Sequence, residues 1–378
     1  MEFLKYGPIK AIIALFAAII LLPQAFTQAQ EQTDINIANQ DEYLQYLQNE
    51  YYTDSYVPCD ESKIADFDIQ QAIADGVKYN EVAFIGSHNS YQLTSTEGYR
   101  KLFGALDIAS FGLIKADSAS YNMDTLTQQF EVGIRNLEID VEVTETDGKV
   151  GFVVCHNPLL DNASSCYDFE KAVEEIKLWS DNNPGHLPIS IIIEPKEDVP
   201  LFGDFKTFTF DYIDEFETVL TEKLGDKILT PAEMMGEYDS LKQMRENDGW
   251  LPLKDTLGKV IILLHDSNVT DKYIKQDESI KSQAMFPMLR YKSRNKSYTS
   301  FIIDNEVASA SVHKSESIDK CKLIVRTRAD SYLSYSEEKY EKVDSCVSQI
   351  ISTDYPVRFA VNEEHAYTFD GFTVKLVK

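Results

Sequence analysis

Asn136-Leu-Glu-Ile-Asp-Val-Glu142 alternates polar and aliphatic residues with a period of two. Successive side chains of a β-strand point to opposite faces, so Glu138, Asp140 and Glu142 share one face and Leu137, Ile139 and Val141 the other. A row of carboxylates behind a row of core aliphatics is costly unless it meets water, bases or a metal. Two histidines close apolar runs on either side of it. His88 lies in Val82-Ala-Phe-Ile-Gly-Ser-His-Asn-Ser90, and His156 follows Val150-Gly-Phe-Val-Val-Cys155. An acid row flanked by strand-end histidines points to an active site.

The same strand-like character recurs along the chain, at 82–86, 136–142, 150–155, 189–194, 260–264, 301–304, 322–327 and 347–353. Several of these runs are nearly continuous β-branched or aliphatic residues, as parallel strands buried on both faces require. Helical periodicity separates them, for example in Phe169-Glu-Lys-Ala-Val-Glu-Glu-Ile-Lys-Leu-Trp179 and over 210–224. Eight strands alternating with helices predict a (β/α)8 TIM barrel, with a doubly wound open sheet as the competing arrangement. The link from the second run to the third is too short for a helix, an irregularity for such a barrel. The segment ending Phe372-Thr-Val-Lys-Leu-Val377 reads as a strand against the barrel exterior.

The chain begins like an exported protein. Lys5 and Lys10 precede the apolar stretch Ala11–Leu22, Pro23 ends it, and Thr27-Gln-Ala29 offers small residues for a signal peptidase. The expected organisation is a signal peptide over 1–29, an acidic extension over 30–79, a catalytic barrel over 80–356 and a packed tail over 357–378. Within the extension, Asp41-Glu-Tyr-Leu-Gln-Tyr-Leu47 reads as a short surface helix. The mature enzyme is then expected to be secreted, extracellular or periplasmic. A net charge of −26 excludes nucleic acid as a partner, because nothing would neutralise its phosphates. It also limits contact with an anionic membrane to something local and transient, and no stable protein partner is evident. Five cysteines in an exported chain predict disulfides, with Cys155–Cys166 and Cys321–Cys346 as the expected pairs.

In a barrel the strand C-termini form one rim, where such enzymes keep their active sites. His88 and Asn89 end the first run, Glu138 and Asp140 lie in the second and His156 ends the third. Glu194 ends the fourth and is followed by Lys196, while Arg326 and Arg328 lie near the other end of the barrel sequence. Asn89, Glu138, Asp140 and Glu194 make a hard, all-oxygen donor set suited to Ca2+. Two histidines beside such a cation suit attack of a neighbouring hydroxyl on a phosphodiester, one taking a proton and the other giving one. Lys196, Arg326 and Arg328 are candidate contacts to phosphoryl oxygens, or else partners of the acids. His186, His313 and His365 read as structural and His265 as intermediate. The stretch 103–114 reads as a helix covering the barrel mouth, or an apolar rim that dips into lipid.

Phe84-Ile-Gly-Ser-His-Asn-Ser-Tyr91, Gly133-Ile-Arg-Asn-Leu-Glu-Ile-Asp140, the His156 strand end and Ile193-Glu-Pro195 together resemble the catalytic X region of phosphoinositide-specific phospholipases C. The likeness is strongest to the secreted, calcium-dependent microbial branch, and Trp250-Leu-Pro-Leu-Lys254, Val325–Asp330 and Ile351–Pro356 extend it. The resemblance implies a barrel with His88 and His156 as the catalytic pair and Ca2+ held by Asn89, Glu138, Asp140 and Glu194. It also implies cleavage of phosphatidylinositol, met transiently at a membrane surface, to diacylglycerol and inositol 1,2-cyclic phosphate or inositol phosphate. A glycerophosphodiester phosphodiesterase, or an inactive lipid- or glycan-binding barrel, is the alternative.

Overall fold

The computed structural model describes residues 3–109, 122–200, 203–305, 322–330, 334–356 and 365–377. Its strands are β1 (Val82–Ser87), β2 (Asn136–Thr146), β3 (Lys149–Val154), β4 (Ile189–Pro195), β5 (Phe205–Lys206), β6 (Val260–His265), β7 (Phe286–Arg290), β8 (Phe301–Ile303), β9 (Ile324–Arg328), β10 (Ile350–Thr353) and β11 (Val374–Leu376). Eight of them, β1, β2, β4 and β6 to β10, pair in parallel around a closed barrel.

Closure is narrow at one seam. β1 and β2 meet through a single register pair, Gly86 with Asn136. A Cβ on Gly86 would lie 2.3 Å from Asn136 Oδ1, so only glycine permits the approach. Lower down the same edge of β1 is taken by β11, antiparallel, with Val82 opposite Leu376 and Phe84 opposite Val374. The expected exterior strand therefore caps the seam.

The expected set of staves needs correction at two places. The run 150–155 is a strand, but β3 folds back antiparallel on β2 and is not a barrel stave. Asp147 and Gly148 both take positive φ, at 54° and 75°, which makes a two-residue hairpin turn. The stave missing from the sequence reading is β7, Phe286-Pro-Met-Leu-Arg290, which pairs in parallel with β6 and β8. A proline argues against a central strand because it lacks the ladder N–H; here Pro287 stands opposite Leu264 and the stave is only five residues long.

The alternation of each stave separates two layers. Leu137, Ile139, Ile191, Ile193, Ile262 and Leu264 face outward into one core with the surrounding helices. Val82, Phe84, Ile192, Leu263, Phe286 and Ile324 fill the lower lumen with Tyr79 and Trp250. Among the helices are α1 (Phe3–Tyr46), α2 (Ile69–Ala74), α3 (Glu97–Ala109), α4 (Leu126–Glu131), α5 (Phe169–Asn182) and α6 (Ile213–Leu224). In α5 Asp168 caps the N-terminus, and Phe169, Ala172, Val173, Ile176 and Trp179 are buried at helical spacing.

The short surface helix expected at 41–47 is the end of the much longer α1, followed by a π-turn over Leu47–Tyr51. Of the 103–114 stretch, residues to Ala109 are helical and belong to α3, which packs on α1; residues 110–121 lie outside the described residues. The expected Cys155–Cys166 disulfide is absent, and both thiols are free and buried. Their backbones run side by side, with Val154 N donating to Tyr167 O at 2.7 Å. Yet the charges that act on Cys155 are those of Glu142, Asp161 and Asp140, whereas Cys166 sits in the outer core near Glu175. Cys321 lies outside the described residues.

Candidate active site

Parallel register sets His88 beside its partner. Gly86 pairs with Ser352 and Ser352 with Arg328, and His88 N donates to Thr353 O at 3.0 Å. His88 Nδ1 consequently lies 2.6 Å from Asp354 Oδ1. The Arg328 guanidinium approaches the same pair, 3.0 Å from the ring nitrogen and 3.7 Å from the carboxylate. One nitrogen cannot donate to Asp354 and accept from Arg328 at once; in a neutral ring the shorter carboxylate contact favours the proton on Nδ1, with Nε2 as the acceptor.

The turn after His88 is pinned to the acid strand. Asn89 takes a left-handed φ of 46°, a conformation asparagine tolerates better than most residues. Ser90 N donates to Glu138 O at 2.9 Å and Ser90 Oγ accepts from Glu138 N at 2.8 Å. Those bonds hold Asn89 next to the lumen carboxylates. Glu138 pairs with the buried Arg326, which also bonds Ser352 Oγ and Asn305 Oδ1. Burial pushes the Glu138 carboxyl up, but Arg326, His88 and Arg328 override it and hold it below the usual range.

One layer higher, Asp140 stands opposite Glu194 in register. Lys196 Nζ bridges the two at 2.6 Å and 3.0 Å, and Tyr91 donates its hydroxyl to Asp140 Oδ2 at 2.8 Å. Burial raises the Glu194 carboxyl, yet Lys196, then His265 and His88, outweigh it and hold the group at about 2. Burial lowers the Lys196 ammonium, but Asp140 and Glu194 reverse this and leave it raised, hence charged.

The β2–β3 hairpin explains how a strand outside the barrel delivers His156. β2 rises past the rim, and β3 returns until Val154 stands opposite Val141. His156 follows two residues later, back at the mouth, with its side chain 48% exposed. Its Nδ1 lies 3.4 Å from Asp161 Oδ2, and Asp161 is itself held by Gln92 Nε2 at 2.8 Å. Asp161 raises the His156 pKa first of all; burial opposes this and Asp140 reinforces it. The mouth therefore carries one histidine whose Nδ1 is engaged by a carboxylate and another whose pKa is raised by a neighbouring carboxylate.

The sequence model of the family described as phosphoinositide phospholipase C, Ca2+-dependent, matches residues 77–150 and 142–377. The chain belongs to that family. Among solved structures, the calcium-dependent phosphoinositol-specific phospholipase C of a Gram-negative Pseudomonas sp. in its apo form aligns with TM-score 0.54 at 17% identity, over 79% of this chain and 95% of that one. The same protein's myo-inositol complex gives 0.56 at 16%, over 84% and 98%. The Ca2+-dependent phosphatidylinositol-specific phospholipase C of Streptomyces antibioticus gives 0.51 at 16%, over 73% and 94%. At these identities the solved structures speak to the fold. No match was found among curated protein sequences.

This calcium-dependent phosphoinositide phospholipase C carries a donor set that fits its cofactor. Glu138, Asp140, Glu142 and Glu194 put four buried or half-buried carboxylates on two neighbouring strands, against the two cations Arg326 and Lys196. Asp140 Oδ1 is buried without a hydrogen-bond partner, a loss that a hard cation would make good. Among the described residues no three acidic, histidine or cysteine side chains already enclose one metal-sized point. Arg326 and Lys196 take up oxygens of Glu138, Asp140 and Glu194.

The remaining histidines separate cleanly. His186 is buried between Ser180 Oγ, at 2.8 Å from Nε2, and Leu187 O, at 2.7 Å from Nδ1; burial pushes its pKa down to about 3. His365 stacks on Tyr335. His265 ends β6 close enough to Glu194 to stabilise its charge, while its neighbour Asp266 ties the loop to Arg290 at 3.0 Å. His313 lies outside the described residues. Sequence reasoning assigned no role to Asp354 or Asp161, the two carboxylates that orient His88 and His156. Asp354 was at least visible as a polar strand end; Asp161 gave no signal, because its approach depends on the hairpin.

Proposed function

We propose that this enzyme cleaves phosphatidylinositol by attack of the inositol 2-hydroxyl on phosphorus. His88 Nε2 takes the hydroxyl proton, the O2–P bond forms, and the bond from phosphorus to the diacylglycerol oxygen breaks. His156 gives its proton to that leaving oxygen. The products are diacylglycerol and inositol 1,2-cyclic phosphate, with some ring opening to inositol phosphate. The observation that carries this reading is the contrast between the two histidines. His88 has Nδ1 engaged by Asp354, and His156 has a raised pKa and an exposed edge.

Arg328 is the best-placed phosphoryl contact. Its Nε is buried without a partner, whereas Arg326 and Lys196 are committed to carboxylates and orient the acid row. Calcium held by Asn89, Glu138, Asp140 and Glu194 would neutralise charge developing on the phosphoryl and 2-hydroxyl oxygens. An attacking group inside the substrate has the proximity advantage of an intramolecular reaction. A 2-deoxy-inositol lipid should accordingly be inert at concentrations where phosphatidylinositol turns over, and its rapid cleavage would make water the nucleophile.

The charged stretch and apolar run before Pro23 support export, with contact to the lipid surface brief because the chain is so acidic. N-terminal sequencing of the exported enzyme should begin at Gln30; retention of the intact N-terminus would contradict cleavage.

A further inference from the structure

We infer that one face of α1 is a positioning strap: Gln32, Asn36 and Gln40 hold the two loops that carry the catalytic histidines, so that Asp161 stays against His156. The inference rests on the reading of His156 as the acid.

The strap residues recur at i, i+4 and i+8 and so lie in single file along a helix. All three are buried, on the same side as the small residues Ala25 and Ala29. Buried amides are uncommon and need partners. Gln32 Nε2 donates to Asn36 Oδ1 at 2.9 Å, and the other partners are backbone groups of the catalytic loops. Gln32 Oε1 accepts from Thr96 N at 3.0 Å, on the loop that follows His88. Asn36 Nδ2 donates to Asn162 O at 2.6 Å, and Asn36 Oδ1 accepts from Ser164 N at 3.3 Å. Gln40 grips Asp168 twice, donating to its O at 3.0 Å and accepting from its N at 2.7 Å.

The loop answers in kind. Asn162, fully buried, donates to Ala29 O at 2.9 Å and to Thr33 Oγ1 at 3.1 Å. Asn162 directly follows Asp161, whose own N and O pair with Asn157 at 2.9 Å and 3.0 Å. The span 157–168 has no regular structure beyond isolated bridges, so its conformation is set by what it binds. Along most of one side it binds α1. A strap confined to residues 32–40 would survive removal of a signal peptide ending at Ala29.

The experiment measures kcat and KM for phosphatidylinositol vesicles with calcium present, for Asn36→Leu, Gln40→Leu, Gln48→Leu and His156→Ala. Gln48 lies just past α1 and binds Glu174 at 2.9 Å, away from both loops, so its variant should match wild type. The strap predicts that Asn36→Leu and Gln40→Leu lower kcat by about 10- to 100-fold with KM unchanged, the range a small displacement of a catalytic group can cost. In an Asp161→Asn background Asn36→Leu should add little, because both changes remove one function. If Asn36→Leu melts below the assay temperature, Asn36→Ser is scored in the same way. Wild-type kcat in the strap variants beside an inactive His156→Ala would overturn the strap alone, as would full additivity with Asp161→Asn. An active His156→Ala would instead overturn the acid assignment.

Discussion

His156→Ala lowers turnover of phosphatidylinositol by about 10²–10⁴-fold, the usual worth of a general acid or base, and leaves the protein folded. His88→Ala does the same. The fold should survive because His156 is half exposed and His88 lies above the apolar lumen. Asp354→Asn should lose activity as well, since an amide at that place can present its N–H to Nδ1 and favour the wrong tautomer of His88. The pH dependence follows from the direction of the His156 shift. Asp161 raises its pKa, so the acid form persists further to the alkaline side. Asp161→Asn should therefore move the alkaline limb of the kcat profile to lower pH. Wild-type rates for His156→Ala would reassign the leaving-group proton, with His265 the nearest other candidate.

Removing calcium with EGTA abolishes turnover, and added calcium restores it. The reason lies in the charge balance of the mouth: four carboxylates face two committed cations, and Asp140 Oδ1 has no partner. A divalent ion relieves that repulsion. Glu194→Gln removes one donor and should raise the calcium concentration required for half-maximal rate. It also takes one carboxylate from Lys196, so the change should appear in the calcium titration before it appears in the melting temperature. Full activity in EGTA would contradict the four-ligand set.

How much of this could be read in the sequence depended on whether the signal was local. The acid face of Asn136–Glu142 and the histidines closing two apolar runs are local patterns, and register then places them on one rim. Alternation of strands and helices left the (β/α)8 barrel beside a doubly wound open sheet, and the family resemblance pointed to the barrel. Its set of staves was less legible: the run 150–155 is β3, turned back by the hairpin dipeptide Asp147-Gly148, and the stave β7, which carries Pro287, is not among the expected runs. The two errors cancelled in the total of eight.

Non-local pairs left weaker traces. Asp354 meets His88 only because β10 and β1 are neighbours around the closed barrel, and Asp161 meets His156 only through a loop folded beside a returning hairpin. The strap shows the same limit from another side. Gln32, Asn36 and Gln40 look like solvated residues of an acidic segment until the loop that accepts them is known. The Cys155–Cys166 expectation is likewise not met, since the two backbones run side by side and both thiols are nevertheless free.

Intramolecular attack by the inositol 2-hydroxyl with calcium bound would leave a cyclic phosphodiester as the first product. Phosphorus NMR of a phosphatidylinositol digest, followed from the first minutes with and without EGTA, tests it most directly. A cyclic phosphodiester resonance should appear first, before any phosphomonoester, and be absent with EGTA. A phosphomonoester that forms from the outset with no cyclic precursor, or a cyclic product formed equally well in EGTA, would contradict it.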